Sequence, residues 1–79
     1  MNIRITYCGI WNYLPKAQVV AHEITSKYFM DANVSMSEGS TGVFDITLDD
    51  KVIFSKNIEQ RFPNDGEVLD RIEANLKEV

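Results

Sequence analysis

The chain has 79 residues, 44% of them hydrophobic and 25% charged, with eight basic and twelve acidic side chains for a net charge of −4. That length is one domain, 1–79, in which only about 60% of the unfolded chain's surface can be buried, so the expected core is one sheet under one layer of helices. The scattered basic residues form no run and exclude a phosphate-neutralising nucleic-acid surface, and no apolar stretch approaches the roughly 18 residues of a spanning helix.

Residues 2–7 alternate, with Ile3, Ile5 and Tyr7 on one face against Arg4 and Thr6 on the other. This is the pattern of a strand with one buried face. Cys8 to Tyr13 breaks the alternation, and Pro15 sits where a first helical turn accepts it. Ala17, Val20, Ala21, Ile24 and Tyr28 then fall at helical spacing, predicting an amphipathic helix to about Phe29. Lys16, Glu23 and Lys27 take its solvent side.

Asp31-Ala32-Asn33 reads as a turn, and Val34 and Met36 share a face of a second strand. Glu38 to Gly42 has the composition of a loop. Phe44, Ile46 and Leu48 alternate against Asp45 and Thr47, and Asp49-Asp50 turns the chain into a fourth strand over Lys51–Ser55. Asn57 to Pro63 carries no period. Asn64 three positions before Glu67 resembles a capping box, and Val68, Ile72, Leu76 and Val79 mark the buried stripe of a last helix. The predicted order is β-α-β-β-β-α. The first unit should be a right-handed parallel crossover and the next pair an antiparallel hairpin. The fold class is therefore α/β (α+β): a four-stranded mixed sheet with two helices on one face.

A single cysteine excludes an internal disulfide, and with His22 as the only other soft ligand a zinc site is not expected. His22 reads as a solvated helix residue about four turns from Cys8. Cys8 ends the first strand just before the first helix. A sulfur there lies near unpaired N–H groups and the positive end of the helix dipole, which favours a reactive thiolate. Free cysteines are also commonly small buried hydrophobes, and position alone leaves both readings open.

The stretch Ile5-Thr6-Tyr7-Cys8-Gly9-Ile10-Trp11-Asn12-Tyr13-Leu14-Pro15-Lys16 is similar to the opening of selenoprotein W-like (Rdx) proteins, where a Tyr-Cys-Gly-x-Sec/Cys core precedes a helix. Thr41-Gly42-Val43-Phe44-Asp45-Ile46 and Asp50 to Lys56 resemble that family's later strands, and Phe62-Pro63 its approach to the last helix. The resemblance implies a thioredoxin-like fold and a redox role. It implies protein thiols or glutathione as partners. No resident cofactor is expected, and with an N-terminus that reads directly as a strand and shows no signal peptide, cytoplasmic residence is the default expectation.

Carried over by position, Cys8 takes the place of the first motif cysteine and Trp11 that of the selenocysteine or second cysteine. A dithiol motif resolves its mixed disulfide with the second sulfur. With Trp11 there, only a monothiol oxidoreductase chemistry through Cys8 remains. Trp11 can be a native residue, an introduced one, or a UGA codon read as tryptophan. Gly9, Ile10, Tyr13, Thr41 and Gly42 are the expected binding residues; Ser40, Thr41 and Gly42 should lie near Cys8 because the first and third strands should be neighbours. The reading from a different class is a redox-inactive interaction module, in which Ile10, Trp11 and Tyr13 present an apolar contact.

Overall fold

The computed structural model describes residues 1–77. Its elements run β1 (Asn2–Tyr7), α1 (Leu14–Tyr28), a 3-10 turn (Phe29–Asp31), β2 (Asn33–Glu38), β3 (Phe44–Leu48), β4 (Lys51–Ser55), α2 (Lys56–Glu59) and α3 (Glu67–Leu76). The sheet order is β2-β1-β3-β4. β1 pairs parallel with β2 and antiparallel with β3, and β3 pairs antiparallel with β4. The expected mixed sheet is present, and α1 and α3 pack together on one face of it. Among the described residues no helix is long and apolar enough to cross a membrane.

The core follows from the two periodicities. Ile3 and Ile5 from β1 and Phe44, Ile46 and Leu48 from β3 meet Ala17, Val20 and Ile24 of α1 and Val68 and Ile72 of α3. Nearly all are fully buried, and each such side chain stabilises the fold by about 1.5–3 kcal/mol before entropy is counted. Between β3 and β4 the two-residue loop Asp49-Asp50 has positive φ at both positions, 47° and 72°, the conformation that matches hairpin twist. Asp49 also accepts the Asn2 N–H through its carboxylate at 2.8 Å, tying the hairpin to the start of β1.

Three local expectations differ from the structure. The stretch after Ser55 contains one helical turn, closed by Gln60 in the left-handed region with its N–H on the Lys56 carbonyl at 2.7 Å. A single turn is too short to show a helical period in sequence. Asn64 is not the side-chain cap of the last helix, because Gly66 (φ 78°) inserts a turn and helix α3 begins at Glu67. The box closes through the backbone instead: Glu67 accepts the Asn64 N–H at 2.9 Å while its own N–H donates to the Asn64 carbonyl. Leu76 is 43% exposed rather than buried. The end of α1 meets α3 at Glu73, through Tyr28 and Lys27, and Leu76 lies past that contact. Val79 lies outside the described residues.

Ion pairs fasten α2 and the segment after it to α3. Arg71 bonds Glu59 at 3.0 Å and Glu67 at 2.8 Å, and Arg61 clamps Glu67 with both guanidinium nitrogens at 2.6 and 2.8 Å. The Arg61 bonds, followed by the Asn64 amide, hold the Glu67 carboxyl down to about 2. Arg71 also donates to the Ile53 carbonyl on β4 at 3.0 Å, so the network reaches the edge of the sheet.

Candidate redox site

In open α/β sheets a site forms at the carboxyl ends of the parallel strands, and here that end is where β1 and β2 finish. Tyr7 is in register with Glu38, and the chain then leaves β1 through Cys8. Residues 9–12 fold into a tight turn: the Asn12 N–H donates to the Gly9 carbonyl and the Tyr13 N–H to the Cys8 carbonyl, both at 3.0 Å. Asn12 takes φ 57°, a left-handed conformation that asparagine tolerates better than most residues. The turn closes over Cys8 and leads into α1, whose N-cap position is Tyr13.

Cys8 is 1% exposed and sits outside the main apolar cluster. Its sulfur accepts the Trp11 backbone N–H at 3.3 Å. This donor belongs to the turn and not to the first helical turn, so the helix contributes to the sulfur only at a distance. Burial is the part of the sequence reading that favours a small core-like residue. The sequence reading placed helix N–H groups near the sulfur, whereas the donor in the structure is the Trp11 amide of the turn.

Ile10 and Trp11 project outward, 83% and 55% exposed. Gly42 comes up beneath the Trp11 ring, which would stand 2.9 Å from any Cβ placed there. Gly42 is the third residue of a turn closed by the Val43 N–H on the Ser40 carbonyl at 3.2 Å, with φ 80°, so it meets both a conformational and a steric demand for glycine. The β1–β3 pairing thus brings Gly42 to the turn that carries Cys8. Thr41 is exposed on the same turn.

Sequence reasoning left Glu38, Phe44, Phe62, Lys16 and Lys56 out of the site. Glu38 lies against Gly9, its carboxyl carbon 2.8 Å from where a Cβ would be. A parallel crossover brings the ends of β1 and β2 together, and that was the available signal. Behind Trp11, Tyr13 stacks edge-on with Phe44 and Phe62, and Phe62 with Phe44 at 5.2 Å between ring centres. Lys16 and Lys56 both approach the Phe62 ring, at 5.3 and 5.4 Å. No local pattern announces this cluster, because its members come from four separate segments.

The Rdx family profile matches residues 2–74. The chain belongs to the Rdx family. It is similar to the crystal structure of a protein from Bordetella parapertussis, at 25% identity and TM-score 0.89, over 94% of this chain and 95% of that one. It shares its fold with a selenoprotein W-related protein from Vibrio cholerae, at 18% identity and TM-score 0.87, over 96% of each chain. No curated protein matches it. Rdx membership gives the thioredoxin-like scaffold a redox-family role.

Proposed function

We propose that this Rdx chain carries out monothiol exchange through Cys8, with glutathione-type or protein disulfides as its reactants. The observation that carries the reading is the Trp11 amide directed at the Cys8 sulfur at 3.3 Å, since an N–H aimed at sulfur stabilises the thiolate that attacks a disulfide. The Cys8 thiolate bonds one sulfur of the disulfide and expels the other as a thiolate. A second small thiol, deprotonated, then bonds that attached sulfur and returns the Cys8 thiolate, so the second thiol is oxidised into a new disulfide and its two electrons end on the thiolate expelled in the first step. Trp11 occupies the resolving position, so resolution comes from outside the chain. Because Cys8 is buried, each exchange passes through a local opening of the 9–12 turn.

Intact mass after incubation with oxidised glutathione tests this. One glutathionyl adduct is expected on the native chain and none on Cys8→Ser. Labelling only after denaturation would defeat the reading.

Exposure of Ile10 and Trp11 favours a second reading, an interaction module that docks a partner on this turn. Under it, Trp11→Ala weakens partner capture while Cys8→Ser leaves capture intact.

A further inference from the structure

The two edges of the sheet are treated differently. On β4, the Ile53 carbonyl is capped by Arg71 at 3.0 Å, and the β3–β4 ladder is broken by an irregularity between Ile46 and Thr47. Both devices blunt an edge against pairing. β2 has neither. It is six residues long, contains no proline, lysine or bulge, and pairs regularly with β1 on its inner side only. An edge of this kind is a template for another strand.

A second copy of the same strand meets no conflict at this edge. Val34 and Met36 lie on the helix-bearing face, in register with Ile3 and Ile5, while Ser35 and Ser37 lie on the open face. Antiparallel self-pairing centred on Ser35 sets Val34 opposite the partner's Met36, and Met36 opposite the partner's Val34. It sets Asn33 against the partner's Ser37, and Ser35 against the partner's Ser35. Apolar meets apolar on one face, polar meets polar on the other, and no like charges oppose one another. Met36 is 43% exposed, and Phe29 and Met30, immediately before the strand, are 73% and 97% exposed. These apolar surfaces are without cover in one copy.

We infer that β2 is a homodimer edge, pairing antiparallel with β2 of a second copy about a two-fold axis at Ser35 to give one eight-stranded sheet. The pairing sets Glu38, which lies against Gly9 of the Cys8 turn, opposite Ala32 of the second copy, and the inference does not rest on the monothiol reading. Isologous contacts of this kind are self-complementary by construction.

Sedimentation of the full chain under reducing conditions tests the inference. A weight-average mass rising with concentration toward twice the chain mass is expected. Ser35→Lys, which sets two ammonium groups across the axis on the solvent-facing side, should hold the mass at that of one chain. In a Cys8→Ser background, Ser35→Cys should oxidise to a covalent dimer, since directly opposed residues lie about 4.5–5.5 Å apart, within disulfide reach. Ser37→Cys, facing Asn33, should form far less. A wild-type chain that stays single at every concentration overturns the inference. So does a dimer that survives Ser35→Lys, or equal cross-linking at positions 35 and 37.

Discussion

The indole of Trp11 rests on Gly42, with ring atom Cζ3 2.9 Å and Cη2 3.3 Å from where a Cβ would stand. The contact joins the turn after β1 to the turn before β3, and it makes the glycine answer two demands at once. Gly42→Ala should cost about 1–2 kcal/mol for the left-handed backbone and about 1–3 kcal/mol more for the overlap with the ring. In a Trp11→Ala background only the backbone cost should remain. A urea-unfolding double-mutant cycle reads the difference. Equal costs in both backgrounds would mean that the ring moves aside freely.

The same displacement bears on Cys8. Pushing Trp11 outward disturbs the turn whose amide bonds the sulfur, so Gly42→Ala should speed alkylation of native Cys8 relative to wild type, measured by intact mass over time. An unchanged rate would show that the turn opens without reference to Trp11.

Asp50 holds φ 72° in the β3–β4 hairpin, where glycine avoids the Cβ penalty. Asp50→Gly should raise stability by about 0.5–1 kcal/mol, the relief of left-handed strain less the added freedom of the unfolded chain. Asp49→Gly relieves similar strain but loses the carboxylate that accepts the Asn2 N–H. Its unfolding free energy should therefore fall below that of Asp50→Gly.

Glu67 sets the acid limb. Its carboxyl is held from 4.5 down to about 2, first by Arg61 and then by the Asn64 amide. A depressed folded value means stability that is present above pH 4.5 and lost as pH falls toward 2. Glu67→Gln should be less stable than wild type at pH 7, with the gap closing between pH 4.5 and 2. A gap independent of pH would assign the loss to packing alone.

Much of this architecture was legible because its periods are long. Six alternating residues in β1 and fifteen helical ones in α1 exceed what a local exception can disturb, and β1–β3 adjacency followed from topology. The Cys8-to-Tyr13 turn was legible as a break but not as a shape. Its closure depends on Asn12 in a left-handed conformation and on an amide reaching a sulfur three residues back. The aromatic cluster of Tyr13, Phe44 and Phe62 was illegible for another reason: tertiary packing assembles it from segments whose local patterns are already satisfied. Asn64 and Glu67 carried a true signal with the wrong partner atoms, since Gly66 let the backbone supply the bond that a side chain was expected to make.

Tyr28 and Glu73 join the end of α1 to α3, hydroxyl to carboxylate at 2.5 Å. Burial, and then the bond to Glu73 and its charge, push the Tyr28 phenol up from 10 to about 12. A raised folded value contributes stability that is complete below pH 10, where the unfolded phenol begins to ionise, and lost as pH rises through 12. Tyr28→Phe should therefore be less stable than wild type at pH 8, by an amount that shrinks between pH 10 and 12. In ultraviolet titration the wild type should show a late tyrosinate step that the variant lacks. Glu73, held below its usual range by Tyr28 and then Lys27, should relax toward an ordinary carboxylate in Tyr28→Phe, followed by its carboxyl carbon resonance. A late step retained in the variant would place the high-pH phenol elsewhere and remove this clamp from the account of how α1 and α3 stay together.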